Sequence, residues 1–388
     1  MSVASILKSA KPGELEVPPK SLDHADHILR TALLGYPELA ADHILNPALV
    51  GKLVGVVGSL IRRARLEFLK PGSEEEVVVR RGRIYSVLLE IAINLFGMEK
   101  EWAGFSDEEA NEAVTAIVNA LEEFEDIERR ERGRPEVLRA VIDLKIEDMK
   151  KVMKGDPRGR KGMIAVMGEN VEKRLDNDNL AESFLKAMRE EIQSNVYYVM
   201  SKKGMCRFGN DYAIGLRWLR RLGYVQVSTN PVLAAIAYRD DPELWEKYKD
   251  YLRRRPELLD DPEKNADELA MAATLLALWP NMEVFRPPFF LKNYNDGMIS
   301  YQLNPNVADS AEGSLKDAYK IYTACEEYFR RYDAYLVWGW PLNVERGRPN
   351  IVFKVAGSSP AAITITTELE AQGMGCLLYT SPSPRDRG

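Results

Sequence analysis

From residue 204 onward, short apolar runs alternate with stretches of helical period, and that alternation leaves the chain few architectures. "GMCRFG", "YVQVS", "MISYQLN" and "NIVFKVAG" have the length and the β-branched and aromatic content of strands. Helical patterns follow them at 211–222, about 231–254, 311–331 and 359–372. Strands separated by helices form βα units, whose parallel sheet is covered by helices. The connection over about 240–298 is longer and is expected to add a helix and a Pro-rich loop.

The first 203 residues read instead as helical. "SDEEANEAVTAIVNALEEFEDIERRERG" opens on a capping box, Ser106 with Glu109, and places Ala113, Ile117, Ala120 and Leu121 on one face. "RPEVLRAVIDLKIEDMKKVMKG" and "NLAESFLKAMREEIQSNVYYVMSKKG" repeat the style, ending in basic residues and a Gly. The basic loop "GDPRGRKG" (155–162) reads as a solvated connector, with anion binding as its functional alternative. "ADHILRTALL" and "ADHILNPALV" echo each other at an offset of 16 residues, too little for a solenoid. The echo gathers the three histidines, His24, His27 and His43, near aspartates. Such clusters can bind metal, but they are also common at helix starts and on polar helix faces.

Composition narrows the function classes. A net charge of −6 over 388 residues gives no reason to expect nucleic acid as a partner. The longest apolar stretch, 47–61, is interrupted by Lys52 and is too short to span a bilayer. No apolar core of a secretory signal opens the sequence, and Cys206, Cys325 and Cys376 lack metal-type spacing. Reduced thiols and a cytoplasmic location are the expectation. The run "RWLRRLG" (217–223) reads as a solvated helix face with Trp218 and Leu219 buried, with a nucleic-acid patch as the functional alternative. Residues 376–388, "CLLYTSPSPRDRG", look foreign to the rest. A fifth strand is expected after "EAQGMG", but prolines lack the N–H a ladder needs, so this tail reads as cloning or adaptor read-through.

Lys354 interrupts the strand-like run "NIVFKVAG". Alternation puts Ile351, Phe353 and Val355 on one face and Val352, Lys354 and Ala356 on the other. A lysine drawn into a crevice loses hydration, which favours the neutral, nucleophilic amine that forms Schiff bases with carbonyls. A lysine that snorkels from a strand end to a carboxylate is the structural alternative.

Three segments occur in order: "VQVSTNP" at 225–231, "SYQLNPNVADSAEGSLKDAYKIY" at 300–322 and "PNIVFKVAGSSPAAITITTELEAQGMG" at 349–375. Together they resemble the transaldolase family, including its fructose-6-phosphate-aldolase-like members, over about 204–375. The resemblance implies an α/β fold: a partial (β/α)8 TIM barrel of about four βα units, preceded by an all-α N-terminal domain or extension over 1–203. It implies chemistry at the C-terminal ends of the strands. Lys354 matches the Schiff-base lysine, and Asn230 the asparagine that binds the dihydroxyacetone unit, with Thr229 and Ser228 beside it. Gln302 stands where classical transaldolases have a Glu acting through water. A glutamine holds the water but takes no proton, as in the aldolase-like members. Counting back from Asn230 places the family's second first-strand acid on Asp211 and its first on Phe208. Asp211 or Asn210 is then a candidate for the missing acid, with a helix N-cap as Asp211's structural reading.

The family also sets what lies outside the match. Ala356 and Gly357 replace its usual proline and small residue, and Ser358 and Ser359 read as an N-cap. Trp338 and Trp340, before the fourth strand, read as packing against the N-terminal region, with a roof over a sugar site as the functional alternative. The implied activity is transfer of a dihydroxyacetone unit between ketose and aldose phosphates, as in the pentose phosphate pathway, with no cofactor and no metal. Sugar phosphates are the implied partners; oligomeric state is left open. An aldolase that releases dihydroxyacetone and an inactive barrel scaffold are the alternatives. Strands five to eight are expected to be missing, leaving edges unpaired and the chain poorly soluble and inactive.

Overall fold

In a computed structural model of the chain, residues 2–152, 160–211, 214–341 and 343–379 are described. The contacts divide it into two units. A helical unit holds residues 1–208, 217–224 and 331–346; a sheet unit holds 209–216, 225–330 and 347–388. Two later stretches thus return to the N-terminal helices, so the boundary is not a single cut near 203.

The helical unit contains α1 (Val3–Ser9), α2 (His24–Leu34), α3 (Pro37–His43), α4 (Leu53–Phe68), α5 (Glu74–Phe96) and α6 (Met98–Ala103). Then follow α7 (Asp107–Arg132), α8 (Glu136–Lys151), α9 (Met163–Lys173), α10 (Leu180–Gln193) and α11 (Val196–Lys202). Helix α5 is the axis of this unit: it opens on a complete capping box, Ser73 with Glu76, and is buried nearly all round from Ile84 to Phe96. At α7 only half of the expected box forms. Ser106 accepts from the Glu109 N–H at 3.1 Å, while the Glu109 carboxylate accepts from Leu53 N at 3.0 Å and so caps α4. The stretch 179–204 is two helices, because Asn195 accepts from the Tyr197 N–H and starts α11. Of the basic loop 155–162, residues 155–159 lie outside the described residues.

The run 217–223 corrects its sequence reading. Trp218 and Leu219 are buried as expected, but Arg220 and Arg221 in α12 (Leu216–Arg221) are fully buried as well. Arg220 reaches Asp42 at 2.7 Å and Glu99 at 2.8 Å; Arg221 and Lys145 both bind Glu90; Arg217 reaches Asp42 at 3.1 Å. A guanidinium survives burial only when paired in good geometry, and Asp42, Glu90 and Glu99 supply the pairs. Burial raises the affinity of the Asp42 carboxyl for a proton, but Arg217 and Arg220 more than offset this and hold its pKa below the usual range.

The sheet unit is built on β1 (Phe208–Asn210), β2 (Tyr224–Val227), β3 (Met298–Gln302), β4 (Ile351–Ala356) and β5 (Gly375–Tyr379), in that spatial order. The pairings from β2 to β5 are parallel. Its helices are α13 (Pro231–Asp240), α14 (Glu243–Arg254), α15 (Ala266–Leu291), α16 (Ala311–Leu336) and α17 (Ala361–Ala371). The chain is thus mostly helical with one five-stranded sheet of parallel pairings, and the order of strands is the order in sequence.

Two expectations change here. The Pro-rich loop of the long connection is the C-terminal part of α15, which carries Pro280, Pro287 and Pro288 inside it. Packing outweighs the lost backbone bonds: Phe285 and Phe289 are fully buried, and Arg286 lies over the rings of Phe290 and Phe329 at 4.7 and 4.5 Å. The second change concerns the tail. Cys376–Tyr379 were read with a segment unable to join the sheet, yet they belong to β5, paired from Val352↔Gly375 to Ala356↔Tyr379. The prolines Pro382 and Pro384 come after this strand, in residues 380–388, which lie outside the described residues. The strand packs only in part: Leu377 and Leu378 remain 40% and 56% exposed.

Asn350 fixes the register of the central strands. Fully buried, it donates to Met282 O at 3.1 Å and Gly297 O at 2.7 Å, and its side-chain oxygen accepts from Arg286 at 3.1 Å. Its carbonyl accepts from Ile299 N at 2.8 Å. One side chain therefore ties the beginnings of β3 and β4 to α15.

Candidate active site

The alternation read from the sequence sorts the sheet into two faces. Ile299, Tyr301, Ile351, Phe353 and Val355 are all buried. The other face carries Met298, Ser300 and Gln302 of β3 beside Val352, Lys354 and Ala356 of β4. It is the more open side: Gln302 and Lys354 are half-buried and Gln226 of β2 is exposed.

Lys354 and Gln302 are register partners at the C-terminal ends of their strands, so their side chains leave the same face next to one another. The Lys354 ammonium lies 5.4 Å from the centroid of the Tyr379 ring, a cation–π distance. Among the described residues Lys354 makes no ion pair with a carboxylate, so an ion-paired snorkel is not seen there.

The turn after β2 brings the other candidates to the same end of the sheet. Ser228 N–H donates to Asn210 O at 2.8 Å, joining the ends of β1 and β2. Thr229 is buried and doubly tied to β3: its N–H donates to Ser300 Oγ at 2.7 Å, and its hydroxyl donates to Ser300 O at 2.5 Å. Asn230 is the N-cap of α13, with its side-chain oxygen accepting from Leu233 N at 2.9 Å. That bond engages the oxygen and leaves the amide NH2 as the donor end. Asp211 follows β1 directly and is exposed. It precedes α12 by five positions and so does not cap it. At the fourth strand the N-cap position of α17 is Pro360 rather than Ser358 or Ser359; Ser359 Oγ accepts from Ala361 N at 3.2 Å from one residue further out.

Ser300 is the residue that sequence reasoning passed over. It sits on the Lys354 face, opposite Val352, and both of its polar ends hold Thr229. Its position two residues before Gln302 carries the signal, since period two puts both on one face.

The histidines do not join this site. His24, His27 and His43 belong to the helical unit, where Trp338 stacks on His27 with centroids 4.8 Å apart and planes at 10°, as expected of a tryptophan packed on the N-terminal helices. Among the described residues no group of three or more His, Cys, Asp or Glu side chains is placed to hold a metal ion. The three cysteines are free thiols. Among the described residues, no helix is long and apolar enough to cross a membrane.

Residues 209–380 match the sequence pattern of the Transaldolase/Fructose-6-phosphate aldolase family. The matched segment takes in all three stretches on which the resemblance rests and nearly the whole sheet. No curated protein matches the chain.

Proposed function

We propose that this chain, a member of the transaldolase/fructose-6-phosphate aldolase family across residues 209–380, acts through a Schiff base on Lys354. The observation that carries the reading is the in-register pair Gln302–Lys354 on the open face, with the lysine free of any carboxylate among the described residues. A family built as a TIM barrel works at the C-terminal ends of its strands, and every candidate here lies at such an end.

In the proposed reaction the Lys354 amine adds to the ketone carbon of a ketose phosphate, and loss of water leaves an iminium. Removal of the proton from the neighbouring hydroxyl breaks the carbon–carbon bond. Its electron pair moves into the iminium as an enamine, and an aldehyde departs. Addition of the enamine to an acceptor aldehyde and hydrolysis of the new iminium complete a dihydroxyacetone transfer, the pentose phosphate pathway reaction. Asn230 offers its NH2 to the donor's hydroxyls. Gln302 holds a water, and Asp211, exposed after β1, receives the hydroxyl proton through it. Thr229 and Ser300 keep the ends of β2 and β3 together so that these groups converge.

Gln302 favours one second reading: an aldolase that releases dihydroxyacetone, since its amide cannot take the proton a Glu would. A scaffold role for the sheet unit predicts no capture at all.

Borohydride reduction in the presence of a ketose phosphate tests the proposal. A stable adduct on the peptide containing Lys354, absent in Lys354→Met, is the expected result. No adduct on folded protein would leave the scaffold reading. Dependence of turnover on an added aldehyde then separates transferase from aldolase in the cytoplasmic setting proposed here.

A further inference from the structure

The echo "ADHIL…ADHIL" folds into a feature that the sheet chemistry does not use. His27 and His43 are each about 1% exposed, and their rings lie 4.5 Å apart, centroid to centroid. His24 stacks on His43 at 5.2 Å, and Trp338 covers His27 at 4.8 Å. These rings hold the segment 331–346 to α2 and α3 within the helical unit.

Hydrogen bonding fixes the protons of this cluster. Backbone carbonyls only accept, so His43 Nδ1 donates to Leu336 O at 2.9 Å and His27 Nε2 donates to Tyr335 O at 2.8 Å. Neutral His43 then accepts at Nε2 from His24 Nδ1–H at 3.0 Å, and His27 Nδ1 accepts from the Ser21 hydroxyl at 2.8 Å. All four bonds form with the three rings uncharged. A further proton on His43 sets N–H against N–H unless His24 changes tautomer, and a further proton on His27 reverses the bond to Ser21.

The charged groups around the cluster pull both ways: Asp26 favours a charge on His27 and Asp23 one on His24, but burial outweighs them. Asp26 faces His27 but is held by Arg30 at 2.8 Å and Arg63 at 3.4 Å. Asp23, beside His24, is held by Arg63 at 2.5 Å. Asp42, next to His43, is held by Arg217 and Arg220. Lys52 opposes a charge on His24. Glu16 meets the cluster through its backbone N–H, which donates to the Tyr335 hydroxyl. The nearby aspartates are thus committed to guanidinium groups.

We infer that these uncharged imidazoles latch the segment 331–346 onto α2 and α3, and that mild acid opens the latch. The electrostatics agree. Burial lowers the pKa of His27 to about 4, against the partial support of the Tyr335 carbonyl, and lowers that of His43 well below the usual imidazole range. Protonation is therefore easier once the rings are released to water, and acid favours the released form. The segment precedes β4, so the device acts on the connection that leads into the strand carrying Lys354.

Hydrogen exchange on the full chain tests this. After correction for intrinsic rates, the peptide over 335–346 is expected to lose protection by about tenfold or more between about pH 7.5 and about pH 5. A peptide over 84–96 of α5 should keep its protection. In the double variant His27→Gln, His43→Gln the response of 335–346 to pH should vanish. Unchanged protection in the wild type, equal loss in α5, or a double variant with the wild-type response would each overturn the latch. Should the double variant fail to fold, the wild-type comparison of the two peptides still decides.

Discussion

Arg220 in the helical unit and Lys354 in the sheet unit are both cations drawn from bulk water, and the protein treats them in opposite ways. Arg220 is fully buried and closed off by Asp42 and Glu99, with Asn94 accepting at 3.2 Å. Lys354 is half-buried beside an amide and an aromatic ring, without a carboxylate among the described residues. Ions matched to one another in this way hold helices together. An amine without a counter-ion among the described residues contributes little to folding, and the chemistry proposed for Lys354 needs an amine of that kind. The contrast sets a structural charge beside a proposed chemical one.

The strongest break of this contrast is Asp42→Ala. It strips the shared partner from Arg217 and Arg220 and should destabilise the helical unit by about 3–5 kcal/mol, read as a lowered urea midpoint by helical circular dichroism. Acid should act next. His27 binds a proton more weakly folded than unfolded, so its contribution is fully present above about pH 6.5 and lost as pH falls from there towards about 4. A fall from 6.5 to about 4 corresponds to about 3–4 kcal/mol at most, and urea midpoints measured across that window should fall in the wild type and less in His27→Gln. Asn350→Ala removes the side-chain bonds to the Met282 and Gly297 carbonyls and one acceptor of Arg286, at a cost of about 2–3 kcal/mol to the sheet unit by the same denaturation. Thr229→Val removes one bond to Ser300 O and should cost about 1 kcal/mol. Lys354→Met should change stability by less than about 0.5 kcal/mol while abolishing borohydride capture. A large loss of stability in that last variant would erase the distinction between the two cations.

The sequence made the sheet legible because its signal is local. Period two in "NIVFKVAG" and "MISYQLN" puts Lys354 and Gln302 opposite the buried face wherever the strands pair, and the resemblance supplied the pairing. Arg220 was illegible for the converse reason. An arginine run looks solvated from its neighbours alone, and Asp42 and Glu99 lie more than 100 positions away in sequence. The prolines of α15 read as a loop because their backbone cost is local, while the packing that outweighs it, around Phe285 and Arg286, is not. "CLLY" lost its strand to the composition that follows it, although the unpaired edge of β4 was enough to order four of its residues. Ser300 was missed because a serine in a strand carries no chemical emphasis until its partner, Thr229, is seen.

Asn350 has one more consequence. Its anchoring of β3 and β4 lies at the opposite end of those strands from Gln302 and Lys354, so alignment is decided before the rim is reached. Side chains at the rim are consequently relieved of setting the register, so an acid in place of Gln302 is expected to leave the pairing of β3 with β4 intact.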